Sequence, residues 1–175
     1  MEPVELNTGV YQLRQFRADD RVDDRPALVE AFADPLHQRF VPGITVDTPE
    51  AAEKYLAHRA SGWARGERCS WAVASAATGA LLGEVGLKAL DLHDGRAEAA
   101  VWVHPMARGR GVAVTALSAA LRFGFGTLGL RSVDYLHEPG NHPSAAVARR
   151  CGFTYRGADR NGVDVRWTRN RGSAT

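Results

Sequence analysis

The chain is poor in lysine, in cysteine and in unbroken apolar sequence, and each scarcity removes a class of protein. Lys54 and Lys88 are the only lysines among 22 basic residues, which face 20 acidic ones for a net charge of +2. The arginines are scattered and no aromatic-basic cluster accompanies them, so no nucleic-acid surface is expected. With abundant alanine and glycine, the arginine bias reads as a GC-rich genome. Cys69 and Cys151 lie far apart with no C-x-x-C spacing. Reduced core thiols are expected, with no disulfide, no zinc and no other metal. No segment approaches the roughly 18 apolar residues of a membrane span. The N-terminal MEPVELNTGVYQLR has neither the basic start nor the apolar run of a signal peptide. A cytoplasmic protein without a membrane partner follows as the expectation. No repeat or linker divides the 175 residues, so one domain is expected over residues 1–170, with a disordered tail at 171–175.

What is present is concentrated between Val101 and Phe125, where an apolar strand breaks into an Arg/Gly loop that runs straight into a helix. Val114, Leu117, Leu121, Phe125 and Leu128 recur at three- and four-residue steps and form one apolar stripe. Ahead of the loop, Ala97, Ala99, Val101 and Val103 alternate with Glu98, Ala100, Trp102 and His104, and Pro105 ends that strand. Backbone N–H groups in a tight turn feeding a helix N-terminus point at one spot, where the macrodipole adds positive charge. Gly109 and Gly111 let a phosphate approach the backbone, and Arg108 and Arg110 bring full charge. The loop therefore reads as an anion cradle. The plainer reading is that the two glycines only permit a sharp turn. A P-loop nucleotidase is excluded, because Gly111 is followed by Val112 and Ala113 where Lys and Ser/Thr are required.

Along the rest of the chain, Val10 to Arg17 reads as a first strand and Arg25 to Phe32 as a short helix, which Asp34-Pro35 breaks. A loop through Phe40, Val41, Pro42 and Gly43 leads to Thr48-Pro49-Glu50, where a cap, an N1 proline and an acid predict a helix running to about Arg65. Ala52, Tyr55, Leu56, Ala60 and Trp63 are its expected packed face. Cys69 to Ala74, Leu81 to Leu90 and the Ala97 strand predict three antiparallel strands. Arg131 to His137 is the next strand and Ser144 to Arg150 the next helix. A final hairpin of Phe153–Arg156 and Val163–Arg169 turns at Asn161-Gly162.

Arg108, Gly111 and Ala113 match the Q/R-x-x-G-x-G/A signature of the GNAT acetyltransferases, and AEAAVWVHPMARGRGVA resembles the strand and loop of their RimJ/RimL-like branch. A second signature follows, Asn141-His142-Pro143-Ser144 with AAVARRCGF behind it, so that Asn141, Ser144, Gly152 and Phe153 occupy the branch's N-x-x-S and Gly-Phe places. The resemblance covers nearly the whole chain. It implies an α/β (α+β) GNAT fold: one mixed, mostly antiparallel sheet of about six or seven strands flanked by about four helices, splayed between the fourth and fifth strands. It also implies acetyl-coenzyme A as cosubstrate and transfer of its acetyl group to a primary amine, either a protein N-terminus or a small molecule. A homodimer is compatible with it. The competing reading is a catalytically weak acyl-coenzyme A sensor or regulatory domain.

The same resemblance assigns cofactor contacts to Val101, Trp102, Val103, Arg108, Gly109, Arg110, Gly111, Val112, Ala113, Asn141 and Ser144, with an amide near Val103 polarising the thioester carbonyl. Trp102 also fits plain core packing. The tyrosine that many relatives place four residues before the Gly-Phe pair is replaced here by Ala148. Ser144 becomes the candidate for stabilising or protonating the thiolate, and Asn141 for binding pantetheine amides. Both residues also suit a helix cap. For the base, Glu84 and Glu138 are the chosen candidates, with Glu98, His104 and His137 as further options. A half-buried Glu84 would take a proton more readily than an exposed one, although a strand glutamate also suits an ion pair. Asp164 is expected in the last hairpin, pairing with Arg166. Acceptor specificity is expected from the Asp34–Thr48 loop and that hairpin, with Phe40 as a pocket wall or a buried loop anchor.

Overall fold

The computed structural model describes residues 1–172. Among them eight strands form one sheet in the spatial order β1-β2-β3-β4-β5-β6-β8-β7. These are β1 (Leu6–Asn7), β2 (Tyr11–Arg14), β3 (Cys69–Ser75), β4 (Leu81–Asp91), β5 (Arg96–Val103), β6 (Ser132–His137), β7 (Thr154–Ala158) and β8 (Val165–Asn170). All neighbouring pairs are antiparallel except β5 and β6. Five α-helices accompany them: α1 (Arg25–Ala33), α2 (Pro35–Phe40), α3 (Pro49–Arg65), α4 (Val112–Gly126) and α5 (His142–Arg150). This is the GNAT fold, with slightly more strands and helices than expected, because the short β1 precedes the first predicted strand and an extra helix fills a predicted loop.

The extra helix is α2. Asp34-Pro35 ends α1 and starts the next helix at once. The Asp34 carboxylate accepts the His37 N–H at 2.9 Å, and Pro35 occupies the first turn, where its missing donor costs nothing. The same device opens α3, where Thr48 Oγ1 accepts the Ala51 N–H at 3.1 Å and Pro49 follows. Gly66, left-handed at φ 69°, closes α3. The buried face of α3 is Ala52, Tyr55, Leu56, Arg59, Gly62 and Trp63. Arg59 is therefore buried where the apolar pattern favoured Ala60, which is exposed.

Two hydrophobic clusters straddle the sheet. On one face, called the front here, Leu28, Phe32, Tyr55, Leu56, Ala72 and Leu81 pack together with Trp102. On the back, Val85, Leu87, Ala97, Ala99, Leu117, Leu121, Val133, Tyr135, Phe153 and Trp167 form the larger core around α4. The rings of Trp63, Trp71 and Phe123 meet edge to face at 5.1–6.3 Å and tie the end of α3 into that core. Arg14 and Asp24, both nearly inaccessible, pair at 2.7 Å and lock β2 to the start of α1. Cys69 and Cys151 are free and buried, and burial pushes the Cys69 thiol up to about 12. Residue Arg171 of the expected tail donates its backbone N–H to Arg131 O and its Nε to Leu130 O. Residues 173–175 of that tail lie outside the described residues.

The feature that positions everything else is where β5 leaves β6. Their parallel pairing runs from Arg96↔Ser132 to Ala99↔Tyr135 and stops, while β5 continues to Val103 and β6 to His137. A cleft opens there, between the strands expected to splay.

Candidate active site

The cleft has a volume of about 1200 Å³ and runs from the loop before α4, past the end of β5, to the start of α5 and the β7–β8 turn. Its walls come from elements far apart in sequence.

The loop is the first wall. Gly109 and Gly111 both adopt left-handed backbone, at φ 76° and 77°, and a Cβ at either would meet nothing within 4 Å. These conformations turn successive N–H groups into the cleft. Among the described residues, no backbone N–H from Gly109 through Val114 has an acceptor, and α4 begins at Gly111 without a side-chain cap. A row of unpaired donors at the start of a 15-residue helix has the chemistry that suits an anion. Gly109, Gly111, Val112 and Ala113 line the cleft. The two arginines behave differently from one another. Arg108 lines the cleft but is held by Asp34, Nη2 to Oδ1 at 2.6 Å, and so ties the loop to the cap of α2. Arg110 is exposed, and its carbonyl accepts from Tyr11 Oη at 3.2 Å.

The edge of β5 is the second wall. His104 donates its N–H to Leu82 O at 2.8 Å, which fixes the phase of the β4–β5 ladder. An antiparallel ladder alternates, so Trp102 and Ala100 also bond to β4, whereas the amides of Val101 and Val103 face the opposite way. That way lies the gap left by β6. Gly83, opposite Val103, lets this edge sit close, because a Cβ there would overlap the Trp102 carbonyl oxygen.

The start of α5 is the third wall. Asn141 is the cap of α5, its Oδ1 accepting the Ser144 N–H at 3.1 Å. Ser144 is not a cap: its Oγ accepts from Tyr135 Oη at 3.3 Å, and both residues line the cleft. Burial pushes the Tyr135 phenol up to about 12, so it stays protonated and donating near neutral pH. Ala148, at the place of the absent tyrosine, is fully buried.

On the front side the cleft broadens into a groove. Glu84 lies at its back, 4% exposed, with both carboxylate oxygens occupied. Oε1 accepts from Arg59 Nε at 2.8 Å, and Oε2 accepts from Tyr55 Oη and from Trp102 Nε1 at 3.1 Å. Trp102 thus packs in the front core and also lends its N–H to this network. His37 is 3% exposed between Phe32 and Trp102, and its Nε2 has no partner among the described residues. Burial, followed by the nearby Arg108, lowers its pKa to about 4, so it is neutral at physiological pH. Phe40 lines the groove at the end of α2 with Arg39 stacked 5.0 Å from its ring. Glu138 stands at the rim beyond β6, where Arg39 bridges to it at 3.1 Å.

Of the remaining candidates, Glu98, His137 and Asp164 line the cleft and His104 does not, and the two histidines and Glu98 are held by other partners. Glu98 pairs with Lys88 at 2.7 Å. His104 is buried and accepts the Met106 N–H. His137 Nδ1 faces the Glu138 carbonyl and its Nε2 accepts from Trp167, so both ring nitrogens are committed. Asp164 lines the cleft beside Asp159 and has no ion pair with Arg166 among the described residues. Tyr55 is expected only on the packed face of α3, and no local pattern marks Arg59, His37 or Tyr135 as site residues. The only available signal, the i, i+4 spacing of Tyr55 and Arg59, places the two on one helix face.

The sequence profile of the acetyltransferase (GNAT) domain matches residues 12–154. No curated protein sequence matches the chain. Solved structures share its fold. A Vibrio cholerae protein described provisionally as a ribosomal-protein-serine acetyltransferase superposes with TM-score 0.82 at 24% identity, covering 97% of this chain and 99% of its own. An acetyltransferase from Agrobacterium tumefaciens gives 0.79 at 24% identity, covering 98% and 96%. RimL, a ribosomal L7/L12 α-N-protein acetyltransferase in complex with coenzyme A, gives 0.80 at 20% identity, covering 95% and 97%. With the profile spanning most of the chain and the unpaired amides lying at the family's signature loop, the chain belongs to the GNAT acetyltransferase family.

Proposed function

We propose that the protein transfers the acetyl group of acetyl-coenzyme A to a primary amine, a protein N-terminus or a small molecule, by direct attack on the thioester. The observation that carries this reading is the unbroken row of acceptor-less amides from Gly109 to Val114 beside the gap between β5 and β6. The amides suit a diphosphate, and the gap suits an extended arm leading from it toward Val101 and Val103. An N–H aimed at the thioester oxygen stabilises the charge that develops there as the amine adds.

In the reaction the amine nitrogen forms a bond to the carbonyl carbon, the C–S bond breaks, and the sulfur leaves with its electron pair. Ser144 is assigned to supply hydrogen bonding or a proton to that sulfur. Because Tyr135 donates to its oxygen, the Ser144 hydroxyl hydrogen is left to point into the cleft. Of the two candidate bases, Glu138 is preferred to Glu84. Arg59, Tyr55 and Trp102 all donate to the Glu84 carboxylate, and a proton arriving there would weaken those hydrogen bonds. Glu138, at the rim, can take the amine's proton through water. Phe40 and the groove around it are assigned to the acceptor. Turnover in the cytoplasm, as a monomer or a homodimer, is consistent with this chemistry.

A thiol-release assay with N-terminal peptides, polyamines and aminoglycosides tests the proposal, and turnover of any of them supports it. The sensor reading draws on Ala148, which leaves α5 without the tyrosine hydroxyl many relatives carry. It predicts tight acetyl-coenzyme A binding with no thiol release from any acceptor.

A further inference from the structure

One guanidinium in the front groove has an open edge. Arg68 follows α3, and its Nε donates to Ser70 Oγ at 2.9 Å. Its Nη2 comes within 3.8 Å of Glu84 Oε1, an oxygen Arg59 already holds at 2.8 Å. Among the described residues, neither Nη group of Arg68 has a hydrogen-bond acceptor, and the side chain lines the groove. Arg59 and Arg68 thus share the single negative charge of Glu84, and the next row is closed by the Lys88–Glu98 pair. One positive charge is left over at a side chain only 17% exposed. Burial, then Arg59, holds the Arg68 guanidinium below its ordinary range. A partly desolvated, unmatched cation is costly until an anion joins it.

The chain also spends a small residue to seat this group. A Cβ on Gly62, inside α3, would overlap Arg68 Cγ and lie 2.7 Å from Cδ. A Cβ on Gly86 would lie 3.7 Å from Nη2. Glycine weakens a helix interior, so Gly62 marks a place kept clear for the arginine, whereas 3.7 Å at Gly86 is ordinary contact. Gly86 pairs with Ser70 on one side and Ala100 on the other, a row of small residues of which Ala100 reaches the groove and forms its floor there. Ala100 is the first β5 residue past the last pair with β6. The row therefore leads from Arg68 to the gap where the acetyl group would be presented, a span of one to two strand spacings, about 5–10 Å. The cleft lining also carries Asp159 and Asp164, whose charge suits an ammonium, while Glu138 is paired with Arg39 and Arg150 lies in the same lining.

We propose that the open edge of Arg68 recognises a carboxylate on the acceptor, so that the preferred substrate is an amine carrying an anionic group about 5–10 Å from the reacting nitrogen. This rests on the acyl-transfer reading above. An acidic side chain at the second or third residue of a peptide N-terminus meets the requirement, and so does a small ω-amino acid. The two sources are separated by matched probes: Ala-Glu-Ala-Ala-amide against Ala-Gln-Ala-Ala-amide, and 6-aminohexanoate against its amide.

With acetyl-coenzyme A fixed, the acid member of at least one pair is expected to show about tenfold higher kcat/KM, carried by KM. Arg68→Gln is expected to bring that ratio to about one while acetyl-coenzyme A still raises the Tm. Gly62→Ala, which displaces the guanidinium and keeps its charge, is expected to lower the ratio as well. Equal use of both members of both pairs overturns the proposal, and so does a preference that survives Arg68→Gln. Failure of all four probes with the acetyl-coenzyme A shift intact overturns this assignment alone. Loss of that shift in the wild type overturns the acyl-transfer reading beneath it.

Discussion

The helices α4 and α5 both begin at the parting of the sheet, and they begin in opposite ways. At α5 the side chain of Asn141 accepts the Ser144 N–H, as Thr48 does for α3 and Asp34 for α2. At α4 the first residues carry no cap at all, and Gly111 holds a left-handed turn that opens the amides outward. Helix α1 also starts without a side-chain cap, but there the Arg25 N–H bonds to Asp23 and Pro26 has no N–H, whereas among the described residues none of the amides from Gly109 to Val114 has an acceptor, which leaves room for a ligand's oxygens. The contrast sets a helix start left open, as the proposed anion site requires, against one closed by its own side chain.

The contrast breaks most sharply at Gly111. A tryptophan there occupies the space the amides face and strains a backbone at φ 77°. At a ligand concentration one hundred times Kd, binding stabilises the native state by about 2.7 kcal/mol, a Tm rise of roughly 5–10 °C for a domain of this size. Acetyl-coenzyme A is expected to produce that rise in the wild type and less than about 1 °C in Gly111→Trp, read by thermal melting of each protein with and without ligand. A full shift in the variant would remove the loop from the binding site.

At the α5 end, Ser144→Ala leaves the Asn141 cap intact, because the cap uses the Ser144 backbone N–H. Turnover is expected to fall about 10- to 100-fold while KM for acetyl-coenzyme A stays within about twofold. Steady-state kinetics with any accepted amine decide it. Unchanged kcat would reduce Ser144 to a bystander of the cap.

How much of this was legible in the sequence divides along the same line. Contiguous signals were readable: the Arg/Gly loop into α4, the alternation of β5, the Asn141-x-x-Ser144 start and the Thr48-Pro49 start all follow from spacing a few residues long. The α2 start uses the same grammar, but Asp34-Pro35 ends one helix as it opens the next, and a chain-breaking dipeptide hides the second role. Long-range partners were not legible. The Asp34–Arg108 bridge spans 74 residues, and the Arg59–Glu84 pair is made by a helix and a strand whose patterns each look ordinary alone. Arg59 was concealed further by a neighbouring alanine that completes an apolar stripe which the real helix does not use.

The α2 start gives a pH-dependent version of the comparison. His37 carries the amide that Asp34 caps, and its ring is buried neutral, with a pKa lowered from 6.5 to about 4 by burial and then Arg108. The unfolded chain binds a proton there below pH 6.5 that the folded chain refuses until about pH 4. Unfolding is therefore favoured progressively as pH falls through that window, by about 2–3 kcal/mol in all. Urea melts between pH 7 and 4 are expected to show this loss, and His37→Phe is expected to flatten it. An unchanged slope would mean that the ring is not held neutral.

The smallest effect tests the caps alone. Asn141→Ala removes the acceptor for the Ser144 N–H and is expected to cost about 1 kcal/mol, with Thr48→Ala costing a similar amount at α3. Gly111→Ala removes no acceptor from α4, so any loss there comes from the left-handed backbone and not from a cap. The discriminating measurement is each variant's stability with saturating acetyl-coenzyme A. If ligand oxygens do for α4 what Asn141 does for α5, the ligand raises the stability of Asn141→Ala and Thr48→Ala by the same increment as the wild type, since neither variant alters the amides of α4. A smaller increment in Asn141→Ala alone would mean that α5 contributes directly to holding the cofactor. Its asparagine would then be a ligand as well as a cap, and the two helix starts would differ in degree and not in kind.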